Sequence, residues 1–266
     1  MNQIMFTRSL LLALLVGSCF AFNFVLHTGR ATARSSSPLD MIFGGGGGKV
    51  LGDPSTYPRP KKTLILWEYE TSAPSKQVRQ ACELLDLTVE HRPCPGGRYG
   101  FSDQLQTASQ GGRTTPFLRD PGNVIGGLNQ MKNPAEIVAY LFEYYGPGVD
   151  KIPGSLKSKG LTNPSGVQPT KNWNEDNILL KPMVLYGFES NGDSKGVREA
   201  MSGLCLSFTN INCCTGSQGA ELLKKKGGKV PMLEDPNKRV TVQGKKEIVK
   251  HLLDNYCTGI KLKSRK

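Results

Sequence analysis

The side chains able to do covalent chemistry in this chain are few, and their spacing is telling. Seven cysteines occur in 266 residues, six of them after residue 39, and none of the six stands in a Cys-x-x-Cys pair. That spacing is what dithiol exchange and most structural zinc sites require. Cys82 falls on an apolar helical pattern and reads as core. Cys94 and the adjacent Cys213-Cys214 are candidate reactive thiols, with a redox-sensitive or metal-binding role weighed against an incidental one. No metal is expected. Of the histidines, His27, His91 and His251, none has a nucleophile partner in its neighbourhood, and the last two read as surface or core-edge residues. Gly44–Gly48 lacks the Gly-Lys-Ser/Thr ending of a phosphate loop. Ser72-Ala73-Pro74-Ser75 and Asn191-Gly192-Asp193-Ser194 each precede an amphipathic pattern, where Ser and Asn cap helices well.

Charge narrows the partners. Lys and Arg outnumber Asp and Glu by 34 to 22, a net +12 that suits an anionic partner without naming one. The basic clusters Lys224–Lys226 and Lys261-x-Lys263-x-Arg265-Lys266 lack interleaved aromatic residues, so they read as a solvated face and tail, and no nucleic acid is expected. No apolar run reaches the roughly 18 residues of a spanning helix, so an integral membrane protein is not expected.

Residues 1–39 contain no Asp or Glu. Arg8, the apolar stretch Leu10–Val16 and the small residues Gly17, Ser18 and Cys19 follow the order of a signal peptide. From Phe20 to Leu39, arginines, threonines and three consecutive serines give a transit-type composition. The pair resembles the two-part leaders of algae whose plastids have extra membranes, which implies the plastid stroma. Ordinary secretion is the alternative. Residues 40–62, rich in Gly and Pro, are expected to be a flexible lead-in.

An internal repeat dominates the remainder. Ser75-Lys76-x-Val78-Arg79 recurs as Ser194-Lys195-x-Val197-Arg198, 119 positions later, and the same offset relates Leu66 to Leu185, Glu70 to Glu189 and Cys94 to Cys213. Gly111–Pro116 matches Gly227–Pro231, both continue to Asp-Pro, and Glu136-Ile137-Val138 matches Glu247-Ile248-Val249. Each copy has the same predicted order. Thr63–Glu70 and Met183–Glu189 read as buried strands. Val78, Ala81, Cys82 and Leu85, and Val197, Ala200, Met201 and Leu204, mark one face of a helix. A second strand ends near Cys94 or Cys213. Pro116–Asp120 with Asn123–Ile125, and Pro231–Glu234 with Arg239–Val242, read as hairpins. A closing helix presents Val138, Leu141, Phe142 and Tyr145, or Val249, Leu252, Leu253 and Tyr256. Asn133-Pro134-Ala135-Glu136 supplies its start signal. A βαβ unit, a hairpin and a helix make a thioredoxin-like sandwich. The expected fold is α/β, with thioredoxin-like domains at 63–146 and 181–257, a linker at 147–180 and a basic tail at 258–266.

This order, with Ser-x-x-Ser before the first helix and Thr-Pro or Val-Pro opening a strand, resembles the glutaredoxins and the N-terminal domain of glutathione transferases. Trp67-Glu68-Tyr69-Glu70, Val78-Arg79, Leu84–Leu87 and Cys94-Pro95-Gly96-Gly97, with Val197-Arg198-Glu199, Cys213–Ser217 and Val230–Pro236, resemble more closely the tandem two-domain plastid proteins of plants, algae and cyanobacteria. The resemblance implies glutathione, or an extended peptide, as ligand. It places Ser72 where some transferases donate a hydrogen bond to the glutathione sulfur, with Asn191 its poorer counterpart. Ser75, Thr115, Pro116, Val230 and Pro231 fall on the glutathione- or peptide-binding positions, where the backbone before a cis-proline pairs with the ligand. The departures matter as much. Neither turn carries a cysteine. The Ser that should hold the γ-glutamyl end is replaced by Asn133-Pro134 and Gly244-Lys245. The all-helical second domain of a transferase is absent from these positions, which a second copy of the first fold occupies. The expectation is therefore a glutathione- or protein-binding module without dithiol redox activity, in effect a pseudoenzyme. The alternative is a glutathione-dependent transferase using Ser72. Capping is the competing role for that serine.

Overall fold

The computed structural model describes residues 48–123, 130–157 and 159–258. The expected leader, residues 40–47 of the lead-in, and residues 259–266 of the tail lie outside them.

The first half runs β1 (Leu64–Glu68), α1 (Ala73–Leu84), β2 (Val89–Pro93), α2 (Ser102–Ala108), β3 (Phe117–Arg119), β4 (Gln130–Met131) and α3 (Pro134–Tyr145). The second half repeats that order: β5 (Met183–Gly187), α4 (Gly192–Gly203), β6 (Phe208–Asn212), α5 (Gln218–Lys225), β7 (Met232–Asp235), β8 (Val240–Gln243) and α6 (Lys245–Tyr256). Each half is a mixed α/β unit: β1 and β2 are parallel, β3 and β4 antiparallel, and β5 to β8 do the same, an arrangement consistent with a thioredoxin-like fold. The strand period of two sorts side chains onto opposite faces. Leu64 and Leu66 join Val78 and Ala81 of α1, Leu85 just after it, and Ile137 and Leu141 of α3 in one core. Trp67 turns the other way, to Phe101, Leu105 and Phe117 under α2. Met183 and Leu185 face Val197, Met201 and Leu252, while Tyr186 faces Leu223 of α5. Sequence periodicity predicted these helical faces. One detail differs: in α6 the deepest side chains are Ile248, Leu252 and Tyr256, with Val249 and Leu253 only partly covered.

All eight strands form one sheet, ordered β4-β3-β1-β2-β6-β5-β7-β8. Its centre is the antiparallel pair β2–β6, with Val89 opposite Asn210, Glu90 opposite Thr209 and His91 opposite Phe208. Under the 119-residue offset of the repeat, Val89 becomes position 208 and His91 becomes position 210. The outer two pairs therefore exchange, and Glu90–Thr209 maps onto itself. A pseudo-two-fold axis passes through that pair. It keeps α1 and α4 on the same face of the sheet, where Arg79 of α1 and Arg198 of α4 share Glu70 and Glu189.

Three segments differ from expectation. The lead-in is fixed over residues 48–62: Val50 is buried, Lys49 bridges to Thr215, Leu51 N–H donates to Leu84 O at 2.7 Å, and Arg59 donates to the carbonyls of Leu85 and Asp86. The linker is built too, with 3₁₀ turns at Val149–Lys151, Gly154–Leu156 and Glu175–Leu179 and buried Leu156 and Asn177. Their backbone groups find partners on both halves, which is what holds sequence without periodicity in place. In the first hairpin the return strand is Gln130–Met131 rather than a strand beginning at Asn123. Asp120 Oδ1 accepts from the Gly122 and Asn123 N–H groups and keeps the chain in a turn there. Val124 and Ile125 lie outside the described residues.

Candidate functional site

The turn from β1 into α1 is shaped by Ser72. Its extended backbone makes it the N-cap, and its Oγ accepts from Ser75 N–H at 3.1 Å, satisfying one of the free donors of the helix start. The capping role is thus occupied. The hydroxyl proton goes elsewhere: Ser72 Oγ donates to Asn163 Oδ1 at 2.5 Å. The same Asn163 carboxamide donates from Nδ2 to the Thr115 carbonyl at 2.8 Å. The Thr115–Pro116 peptide is cis, as is Val230–Pro231. Sequence reasoning named Ser72, Thr115 and Pro116; the structure brings them together at one groove, with Ser72 and Thr115 only 1% and 3% exposed beneath Asn163. Asn163 itself was missed. It lies in a Gly-, Ser- and Pro-rich stretch outside the repeat, and no signal in the sequence singles it out.

Ser75 lies deeper than Ser72. It is fully buried, its Oγ has no hydrogen-bond partner among the described residues, and its repeat mate Ser194 is the same. Both are packed beneath their helix starts. In the second half, Asn191 caps α4 through Oδ1 to Ser194 N–H at 2.7 Å. Pro231 is buried and Val230 half-buried beside it.

Two clefts flank the first groove. One of about 500 Å³ is lined by Tyr69, Gly96, Arg98, Arg113 and Thr115, with Asn163–Gln168 as its other wall. The other, about 570 Å³, lies between Lys132–Ala135 at the start of α3 and Lys159–Leu161. Fit for glutathione is mixed. A hydroxyl and the backbone before the cis-proline suit its cysteinyl part. The start of α3 offers Asn133, whose Oδ1 already accepts from Ala135 N–H, and the segment 159–168 separates the two clefts.

The candidate thiols are enclosed, in keeping with the incidental role weighed for them. Cys94, Cys213 and Cys214 are buried. Burial pushes Cys94 well above the ordinary thiol value and raises Cys213 and Cys214 to about 12. Reactive cysteines need the opposite shift, toward the thiolate. Among the described residues no group of three or more His, Cys, Asp or Glu is placed to hold a metal ion. No described helix is long and apolar enough to cross a membrane.

The repeated Glu and Arg prove to be a lock between the halves. Arg79 reaches Glu68 at 2.5 Å, Glu70 at 3.4 Å and Glu189 of the other half at 2.9 Å. Its mate Arg198 reaches Glu70 at 3.0 Å and Glu189 at 2.9 Å. Burial pushes the Glu68 carboxyl up, but Arg79 and His91 outweigh it and hold it at about 2. At Glu189 burial also loses, to Arg198 and Arg79, and the carboxyl is lowered; at Glu70 burial wins and it is raised. His91 is buried rather than at the surface, with Nδ1 3.3 Å from Glu68 and its ring stacked on Phe208 at 4.7 Å. The two Asp-Pro motifs are structural in the same sense. Asp120 accepts from the hydroxyls of Tyr140 and Tyr145, Asp235 from Tyr256 and, at 2.8 Å, interacts with His251 Nε2. Each ties a β-hairpin to its closing helix.

Residues 66–148 match the family model described as Glutathione S-transferase, N-terminal domain. No curated protein and no solved structure matches the chain.

Proposed function

We propose that this is a tandem glutathione-transferase-N-terminal-like protein that binds glutathione or an extended peptide and performs no dithiol exchange. Import into a plastid through the leader is part of the same reading. The observation that carries it is the groove where Ser72, at the capped start of α1, meets the carbonyl before cis-Pro116. Those groups recognise a main chain and a sulfur-sized atom, and no cysteine stands at either helix start. The family match over residues 66–148 supports a glutathione-related module.

A second reading, a transferase using Ser72, draws on one detail: the Ser72 hydroxyl already donates into the groove, where a glutathione thiolate would accept that proton. Calorimetry with glutathione on the full chain, with Thr115→Arg and Val230→Arg, tests the main reading. Binding lost in the first variant alone would place the working site in the first half; no binding at millimolar glutathione would refute it for glutathione. Transferase turnover that survives Ser72→Ala would remove the second reading.

A further inference from the structure

The binding reading leaves one fact unexplained: the groove already holds part of the chain. Residues 159–168 cross it between two anchors. Upstream, Leu156 is buried in the first core, and its carbonyl accepts from Gln77 Nε2 at 2.5 Å. Downstream, Thr170 N–H donates to Gly203 O of α4 at 2.7 Å. The segment and its downstream anchor are accommodated at close range. A Cβ on Gly96 would lie 2.5 Å from Val167 O, and one on Gly203 would lie 2.4 Å from Thr170 Oγ1. Gly96 also has φ +60°, so glycine serves both conformation and clearance there. Between these points Asn163 takes the two groups that a ligand would need: the Ser72 hydroxyl and the Thr115 carbonyl.

We propose that residues 159–168 are an internal ligand of this groove, an Asn-Pro strap with a turn at Ser165-Gly166, that glutathione or a partner peptide must displace. The inference rests on the binding reading above. A carboxamide accepts and donates from two adjacent atoms, so Asn163 matches a hydroxyl donor and a carbonyl acceptor at once. The clefts on either side of the strap are what remains of one continuous track. Binding is then a competition: the ligand's apparent affinity is reduced by the fraction of molecules whose strap is lifted. The ligand in turn raises that fraction. The second half has an equivalent cis-proline and capped helix start, but Asn191 stays half-exposed there, so the two halves are expected to respond differently.

Two measurements on the full chain test this: calorimetric titration with glutathione, and tryptic cleavage after Lys159, both on the natural protein and on Asn163→Ala. Losing both Asn163 hydrogen bonds should tighten glutathione about ten-fold and speed cleavage about as much, and glutathione should itself speed cleavage of the natural chain. Equal affinity and equal cleavage in the two proteins would overturn the strap while leaving the groove reading in place. If neither protein binds glutathione, even after cleavage at Lys159, the groove reading falls and the strap with it.

Discussion

At the scale of single residues, cysteine shows how far type and spacing carry. The absence of a Cys-x-x-Cys pair is readable directly. Which remaining thiols react depends on burial, which spacing does not encode. Cys94, Cys213 and Cys214 lie at strand ends, where a sequence allows an exposed rim, yet all three are buried, Cys94 against Trp67, Phe101 and Phe117 and Cys213 against Tyr186, Leu223 and Met232. Cys257 is partly exposed, and burial raises its thiol less completely. Alkylation of the native protein with iodoacetamide at pH 8, read by mass spectrometry, should therefore modify Cys257 first and leave Cys94, Cys213 and Cys214 untouched until unfolding. Labelling of Cys94 at the rate of a free thiol would refute this assignment. Thr115 and Ser72 were singled out in the sequence through the resemblance to glutathione transferases, which fixes them by a helix start and an X-Pro pair. Asn163 was not, because its role comes from where a chain without periodicity is laid down.

At the scale of elements, most of the architecture was legible, because a period of two or 3.6 persists wherever one face is buried. The failures fall where the period is absent: the lead-in, the linker and the return strand at Gln130–Met131. Close approach is another feature that periodicity does not report. Gly219, in the first turn of α5, allows that helix to sit against the end of β6; a Cβ there would lie 2.1 Å from Asn212 O, a backbone atom. Gly219→Ala must push the helix away and should cost about 1–3 kcal/mol. Gly192, the first residue of α4, has nothing within 4 Å of a Cβ position. Gly192→Ala should stabilise by about 0.5 kcal/mol, since alanine restricts the unfolded chain. Urea unfolding of the two variants checks both signs; a stable Gly219→Ala would mean that α5 is not docked this closely.

For the whole molecule, the repeat was legible but its purpose was not. Equal elements at a fixed offset suggest two separate domains on a linker. Instead the repeated Glu70, Arg79, Glu189 and Arg198 sit at the axis relating the halves, and each arginine binds carboxylates from both. A buried ion cluster adds little stability compared with a well-packed apolar one, but removing one member strands its partners. Arg79→Met leaves Glu70 and Glu189 sharing Arg198 and Glu68 with only His91 beside it, and should destabilise by about 3–5 kcal/mol. Acid should act on the same cluster. Glu68 is held at about 2 against an ordinary 4.5. Its ionised form therefore favours the native state, and that contribution, on the order of 3 kcal/mol, is present above pH 4.5 and lost as pH falls toward 2. Glu189 acts in the same sense. Glu70, raised, acts in the opposite sense: its contribution is present at low pH and lost as pH rises through its folded pKa, so it offsets part of the loss. Because the cluster and the β2–β6 pair belong to both halves, acid unfolding should be one transition. The chain carries its own probes: Trp67 in the first half and Trp173 against the second core. Trp173→Phe and Trp67→Phe each leave one reporter. Coincident fluorescence transitions between pH 4.5 and 2, shallower in Glu68→Gln, are expected if the halves form one cooperative unit. Two separated midpoints would instead show that each half folds by itself and that the lock couples them only weakly.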